Sequence, residues 1–169
     1  MATVYLADNY STPWPDVSNS AGLVTRPFAF TIAAALVIND TIKLTILPGI
    51  MGICFVDFDI EIPDVDTGES PAVTWDVGDS ISATRFVSGS TVGQSAGRIY
   101  SAAPSGGAII GSLPCNYNPN GAAANHGNDD LILKVHTAPA TSVTSGKIIG
   151  WARYVQYGVG PLTFGNEPS

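Results

Sequence analysis

Residues 57–69 read DFDIEIPDVDTGE, and they hold six of the chain's fourteen carboxylates with no lysine or arginine among them. From Val56 onward acidic and apolar residues alternate. A β-strand turns successive side chains to opposite faces, so Asp57, Asp59 and Glu61 line one face and Phe58, Ile60 and Ile62 the other. The pattern predicts a half-buried strand with a solvated acidic face. Same-face neighbours stand roughly 7 Å apart on strand geometry. A glycosidase can place its two carboxylates at about that separation, but it needs them across a cleft with one desolvated. Nothing in the neighbouring sequence supplies that setting.

The turn that follows, DVDTGE, resembles the opening of a calcium loop. Its glycine arrives one residue early, the third acid is missing, and the twelfth position from Asp64 is Trp75 rather than glutamate. Asp64, Asp66 and Asp76 are the candidate oxygen ligands for a divalent cation. A polar hairpin connection is the simpler reading, and no metal or other cofactor is assigned.

Outward from this segment the chain repeats the same grammar. TIKLTIL (41–47) alternates, and GICFVDFDIEI, AVTWDVG, TRFVSG, GAIIGSL, DLILKVHT and GKIIGWARYVQY are further strand candidates. PFAFTIAAALVI is read as a strand despite its alanines, with a turn at Asn39-Asp40 before the next strand. Eighteen glycines and twelve prolines separate these segments at short spacing, and no long helical periodicity appears. The expected fold is all-β: one domain over residues 1–169, an antiparallel sandwich or jelly-roll-like barrel of seven to nine strands. Residues 8–27, rich in Pro, Ser and Asn around Tyr10 and Trp14, are read as an extended arm docked by its aromatics on the body or on a neighbour. The β core is expected over 28–157, with a second long loop at 114–130 and a C-terminal strap over 158–169.

Only 12% of residues are charged and 45% are hydrophobic, which excludes a disordered chain. The net charge of −7 is uneven: residues 57–79 carry eight acids and no bases, and the remainder carries seven bases and six acids. Seven basic residues spread singly make no stripe for phosphates, so nucleic acid is not an expected partner. The apolar runs are too short or too interrupted to span a bilayer, and no basic-then-apolar secretory start is read. Cys54 and Cys115 are expected to be free thiols, Cys54 within a strand.

GQSAG (93–97) matches the nucleophile-elbow pattern, followed in hydrolase order by Asp129, Asp130 and His136. An elbow requires strand, tight turn and helix within an alternating α/β chain, and SGSTV and RIYSAAPSGG provide neither helix nor rhythm. A non-enzymatic chain is therefore expected. His136 is placed on an outer strand face, and His126 in a polar loop tip with Asn125, Asn128, Asp129 and Asp130. Trp75 and Trp151 are expected in the core.

The run DTIKLTILPGIMGICFVDFDIEIPDVDTGESPAVTWDVGDS, continued by RFVSGSTVGQSAGRI and DDLILKVHTAPATSVTSGKIIGWARYVQY, resembles small structural proteins of tailed-phage virions. The resemblance covers residues 40–157 and is a cadence of strands and turns. It implies a decoration, or cement, protein on the outer surface of a capsid, made in the host cytoplasm and binding the major capsid protein as a homotrimer. Another virion component (a head fibre, tail or adaptor subunit) and a carbohydrate-binding host-adsorption module are the alternatives. The expected partner-contacting residues are Tyr10, Trp14, Tyr117, Asn118 and His126.

Overall fold

Alternation of apolar and polar residues builds strands that each need a partner layer, and the chain supplies two such layers. The structure is a computed structural model describing residues 1–10, 22–47, 53–100 and 129–156. Nine strands are present among these residues: β1 (Val4–Leu6), β2 (Gly22–Thr31), β3 (Thr41–Leu47), β4 (Ile53–Ile62), β5 (Thr74–Gly78), β6 (Val87–Ser90), β7 (Gly97–Tyr100), β8 (Asp129–Thr137) and β9 (Lys147–Gln156). They form one sheet in the order β1-β3-β8-β5-β6 and a second in the order β2-β9-β4-β7. Among the described residues there is no helix. The all-β sandwich expected from the sequence is the observed architecture. All pairings are antiparallel except β1 with β3, which is parallel.

Among the described strands only β5 and β6 are consecutive within one sheet; every other successive pair lies in different sheets. This differs from the hairpin connection read at DVDTGE; the turn read at Asn39-Asp40 is present, but it joins strands of different sheets. Strand β2 ends at Thr31, and residues 32–40 then cross between layers, burying Ile32 and Leu36 but leaving Ala33–Ala35 exposed. The TIAAALVI run is thus strand only at its first residue: buried positions four apart suit a crossing segment better than a period of two. Asn39 adopts a left-handed conformation (φ 68°) at the turn into β3.

The core lies between the sheets. Phe28 and Phe30 from β2, Phe58, Ile60 and Ile62 from β4 and Ile148 from β9 face Ile42 and Leu44 from β3, Trp75 and Val77 from β5, and Leu131, Leu133 and Val135 from β8. Trp75 is fully buried, as expected. Trp151 is not a core residue. On β9 the inward positions are Ile148, Gly150 and Ala152, and the space above Gly150 belongs to the Phe28 ring. A Cβ on Gly150 would stand 2.2 Å from the Asp59 carbonyl oxygen and 2.7 Å from that ring. The small inward residue therefore sends Trp151 to the outer face.

Strand β2 also contains the second part of the segment read as an arm: Gly22–Pro27 pair residue for residue with Gln156–Trp151. Pro27 is tolerated because β2 is an outer strand of its sheet. GRIY, read only as the flank of an elbow, is strand β7. GAIIGSL lies outside the described residues, as do Cys115 and the proposed strap.

Candidate interaction surface

Buried aspartates position the loops. Asp66 is 1% exposed, and its carboxylate accepts main-chain N–H bonds from Ala72 (2.6 Å), Val73 (3.0 Å), Ala140 (2.9 Å) and Thr141 (2.8 Å). The first two lie on the crossing from β4 to β5, the last two on the crossing from β8 to β9. Thr67 N–H to the Thr141 carbonyl and Val143 N–H to the Val65 carbonyl complete the seam. The Asp-Thr-Gly turn and the TAPAT segment are thus two halves of one joint. Burial, the largest influence on Asp66, pushes its pKa up; the N–H donors of Thr141, Ala72, Ala140 and Val73 together outweigh it and hold the carboxyl far below the ordinary range.

Asp40, Asp76 and Asp79 work in the same way. Asp40 accepts from Thr3 N–H at 2.7 Å and Val37 N–H at 2.9 Å, tying β1 to the entry of β3. Asp79 accepts from the N–H groups of Ile81 and Ser82 and pairs with Arg85. Asp76 accepts from Gly89 N–H at 2.9 Å and lies 2.9 Å from Nδ1 of His136, which is exposed on the outer face as expected. The candidate cation ligands are consequently not brought together. Asp66 and Asp76 serve separate joints, and exposed Asp64 accepts the N–H of Asp66 at 3.2 Å. Among the described residues no three ligating side chains form a group that would hold a metal ion.

The acidic strand does present its acids outward: Phe58, Ile60 and Ile62 are buried, and Asp57, Asp59 and Glu61 occupy the other face. The face is nevertheless not a field of free charge. Arg153 of β9 forms a two-pronged bond to Asp57, and its guanidinium lies 4.6 Å from the ring centre of Trp151. Arg98 of β7 is shared between Asp59 (3.5 Å) and Glu61 (3.2 Å). The Asp57 bond, the largest influence, raises the pKa of Arg153 above its ordinary value against the opposing effect of burial. Around these pairs Pro27, Ile149 and Trp151 line a shallow groove of ≈ 260 Å³. Neither arginine stands near the acids in sequence; antiparallel pairing of β4 with β9 and with β7 brings them alongside.

Of the expected partner-contacting residues, Tyr10 lies among the described ones. Its ring packs on the core, its hydroxyl bonds Asp130, and its carbonyl accepts from Arg26 at 3.1 Å. Tyr10 thus docks on the body of its own chain. Trp14, Tyr117, Asn118 and His126 lie outside the described residues. Ser95 is exposed in the turn between β6 and β7, no helix follows it, and His136 is engaged with Asp76. Gly93 of the same turn has φ +96°, and a Cβ there would stand 2.9 Å from Trp75 Nε1. The first glycine of the GxSxG pattern is thereby accounted for by turn and core packing.

This two-sheet arrangement is found in viral capsids. The structure is similar to a chain in the capsid of Ralstonia phage GP4, with TM-score 0.64 and 24% sequence identity, covering 91% of this chain and 98% of that one. It is also similar to a chain in the cyanophage Pam1 capsid asymmetric unit, with TM-score 0.54 and 24% identity, covering 86% of this chain and 91% of that one. At these identities the likeness is one of fold. No protein-family model matches the chain, and no curated protein does.

Proposed function

We propose that this chain is a non-enzymatic structural protein of a phage virion, a decoration or cement protein that binds the outside of an assembled capsid and stabilises it. One observation carries the reading: the fold matches two capsid chains almost end to end, with 98% and 91% of those chains covered. Near-complete coverage by 169 residues makes each neighbour a small chain within its capsid, which suits an accessory subunit. The site geometry agrees. Asp66 is saturated by main-chain donors, Asp76 and Asp79 are engaged by main-chain donors together with His136 and Arg85, and the outward acids of β4 are paired with arginine. Such a surface favours broad contact over catalysis. The proposed partner is the major capsid protein, met by a homotrimer where capsomers join, many copies adding contact area to the shell.

The test is addition of the purified protein to expanded shells that lack it. Co-sedimentation with the shells, together with a higher temperature of shell disruption, is the expected result. Absence of binding to intact shells rejects the proposal. Microscopy of the particles that places the protein on a tail or at a portal would assign it to another virion part.

A further inference from the structure

Among the described residues strand β1 is an outer strand of its sheet, held to β3 on one side only. Thr41 N–H bonds the Thr3 carbonyl and Ala7 N–H bonds the Lys43 carbonyl, so residues 3 and 7 turn their main-chain groups toward β3. In a strand these groups alternate sides, so Tyr5 faces β3 and the N–H and C=O groups of Val4 and Leu6 face away. Their side chains are exposed as well, Val4 by 62% and Leu6 by 55%, and Tyr5 between them packs its ring on Phe30. No charge, proline or bulge interrupts Val4–Leu6, the devices by which outer strands usually discourage pairing.

Inward from this edge, over the outer face of the sheet and across β3, Val4 lines a groove of ≈ 440 Å³ with Ile81, Ile132 and Lys134. Ile81 is 58% exposed. The groove's other charges are matched: Lys43 with Asp130 at 2.7 Å, and Asp79 with Arg85. Lys134 has no carboxylate within ion-pair distance among the described residues.

We infer that the outer edge of β1 is a strand-addition site, taking an extended apolar segment of the neighbouring coat protein that carries a carboxylate toward Lys134. This rests on the proposed capsid role. Backbone groups with no partner among the described residues select an extended polypeptide, since only another main chain offers donors and acceptors at strand spacing. The exposed aliphatic side chains select an apolar segment, and Lys134 selects its acid. Pairing of β1 with the β1 of a second copy would instead generate a two-fold dimer, which a three-fold assembly does not accommodate.

The experiment compares wild type, Val4→Lys with Leu6→Lys, and Lys134→Glu on expanded shells. Both edge side chains are exposed, so the double variant folds normally, checked by circular dichroism. It is expected to lose at least about tenfold in shell affinity, because edge lysines oppose strand addition. Lys134→Glu weakens binding several-fold, with a smaller dependence on salt. Amide hydrogen exchange on shell-bound wild type is expected to show slowed exchange at Val4 and Leu6. If wild type binds shells while the double variant binds equally well and those amides exchange as in the free protein, the edge is not the site. If wild type binds no shell, the capsid reading falls and the coat-protein occupant with it. A wild-type dimer that Val4→Lys with Leu6→Lys dissociates would make a second copy the occupant and overturn the inference.

Discussion

Asp66 joins its own crossing to one whose Ala140 stands 74 positions away in the chain. Its substitution by asparagine replaces one acceptor oxygen by a donor facing main-chain N–H groups. A loss of about 3 kcal/mol is expected, the cost of leaving buried donors unsatisfied next to a lost charge-assisted bond. Urea denaturation of Asp66→Asn at neutral pH measures it. The sign with pH follows from the depressed native pKa. The unfolded chain binds this proton more readily than the native protein, so the stabilisation is complete above the unfolded carboxylate pKa of about 4 and declines as the pH falls below it. Wild type and Asp66→Asn should therefore converge in stability in strong acid, which the same titration repeated between pH 2 and pH 7 reads directly (about 4 being the point where convergence begins). The sequence marked Asp66 as a turn residue through the Asp-Thr-Gly pattern. Its burial was not legible, because the segment that buries it is distant in the chain.

Strand β4 carries its meaning in two halves. Alternation fixes which face is apolar, a local property that any strand of this sequence would show. Whether the acids are free or paired depends on the strands beside it, and here β9 and β7 bring one arginine each. A double-mutant cycle on Asp57→Asn and Arg153→Gln should return a coupling of about 1 kcal/mol, since the pair is two-pronged but partly exposed. The Asp57→Asn, Asp59→Asn protein should still fold, because the buried side of the strand is untouched. Strand β9 shows the complementary case. Gly150 lies against the Asp59 carbonyl and the Phe28 ring, and Gly150→Ala is expected to cost about 2 kcal/mol through overpacking. A lowered thermal midpoint of the alanine variant, with unchanged secondary structure, checks that. The same close approach explains why Trp151 faces outward: size alone argues for the core, but the inward parity of β9 is already taken by Phe28.

At the scale of the whole molecule, the fold is a sandwich whose connections mostly run between its layers, so each buried loop needs its own anchor. Asp40, Asp66, Asp76 and Asp79, four of the chain's fourteen acids, provide these anchors. If the protein assembles as proposed, sedimentation in solution should give three times the mass of the chain, and that mass should persist in high salt because few unpaired charges are available to hold the subunits together. A monomer at the concentration used for shell binding would instead make the shell itself the template for association.

The sequence by itself determined that this is an all-β chain, which segments 41–47, 53–62, 74–78, 129–137 and 147–156 are strands, and which side of β4 is dry. Those properties follow from a period of two and from turn residues, both local. Long-range packing decides that the connection at DVDTGE is a crossing rather than a hairpin, that GRIY and Val4–Leu6 are strands, that the acids of β4 meet arginines, and that Trp151 lies outside. The physical reason is the same in each case. A short run of residues specifies its own conformation, but the partners that bury it, pair it or neutralise it come from segments tens of residues away.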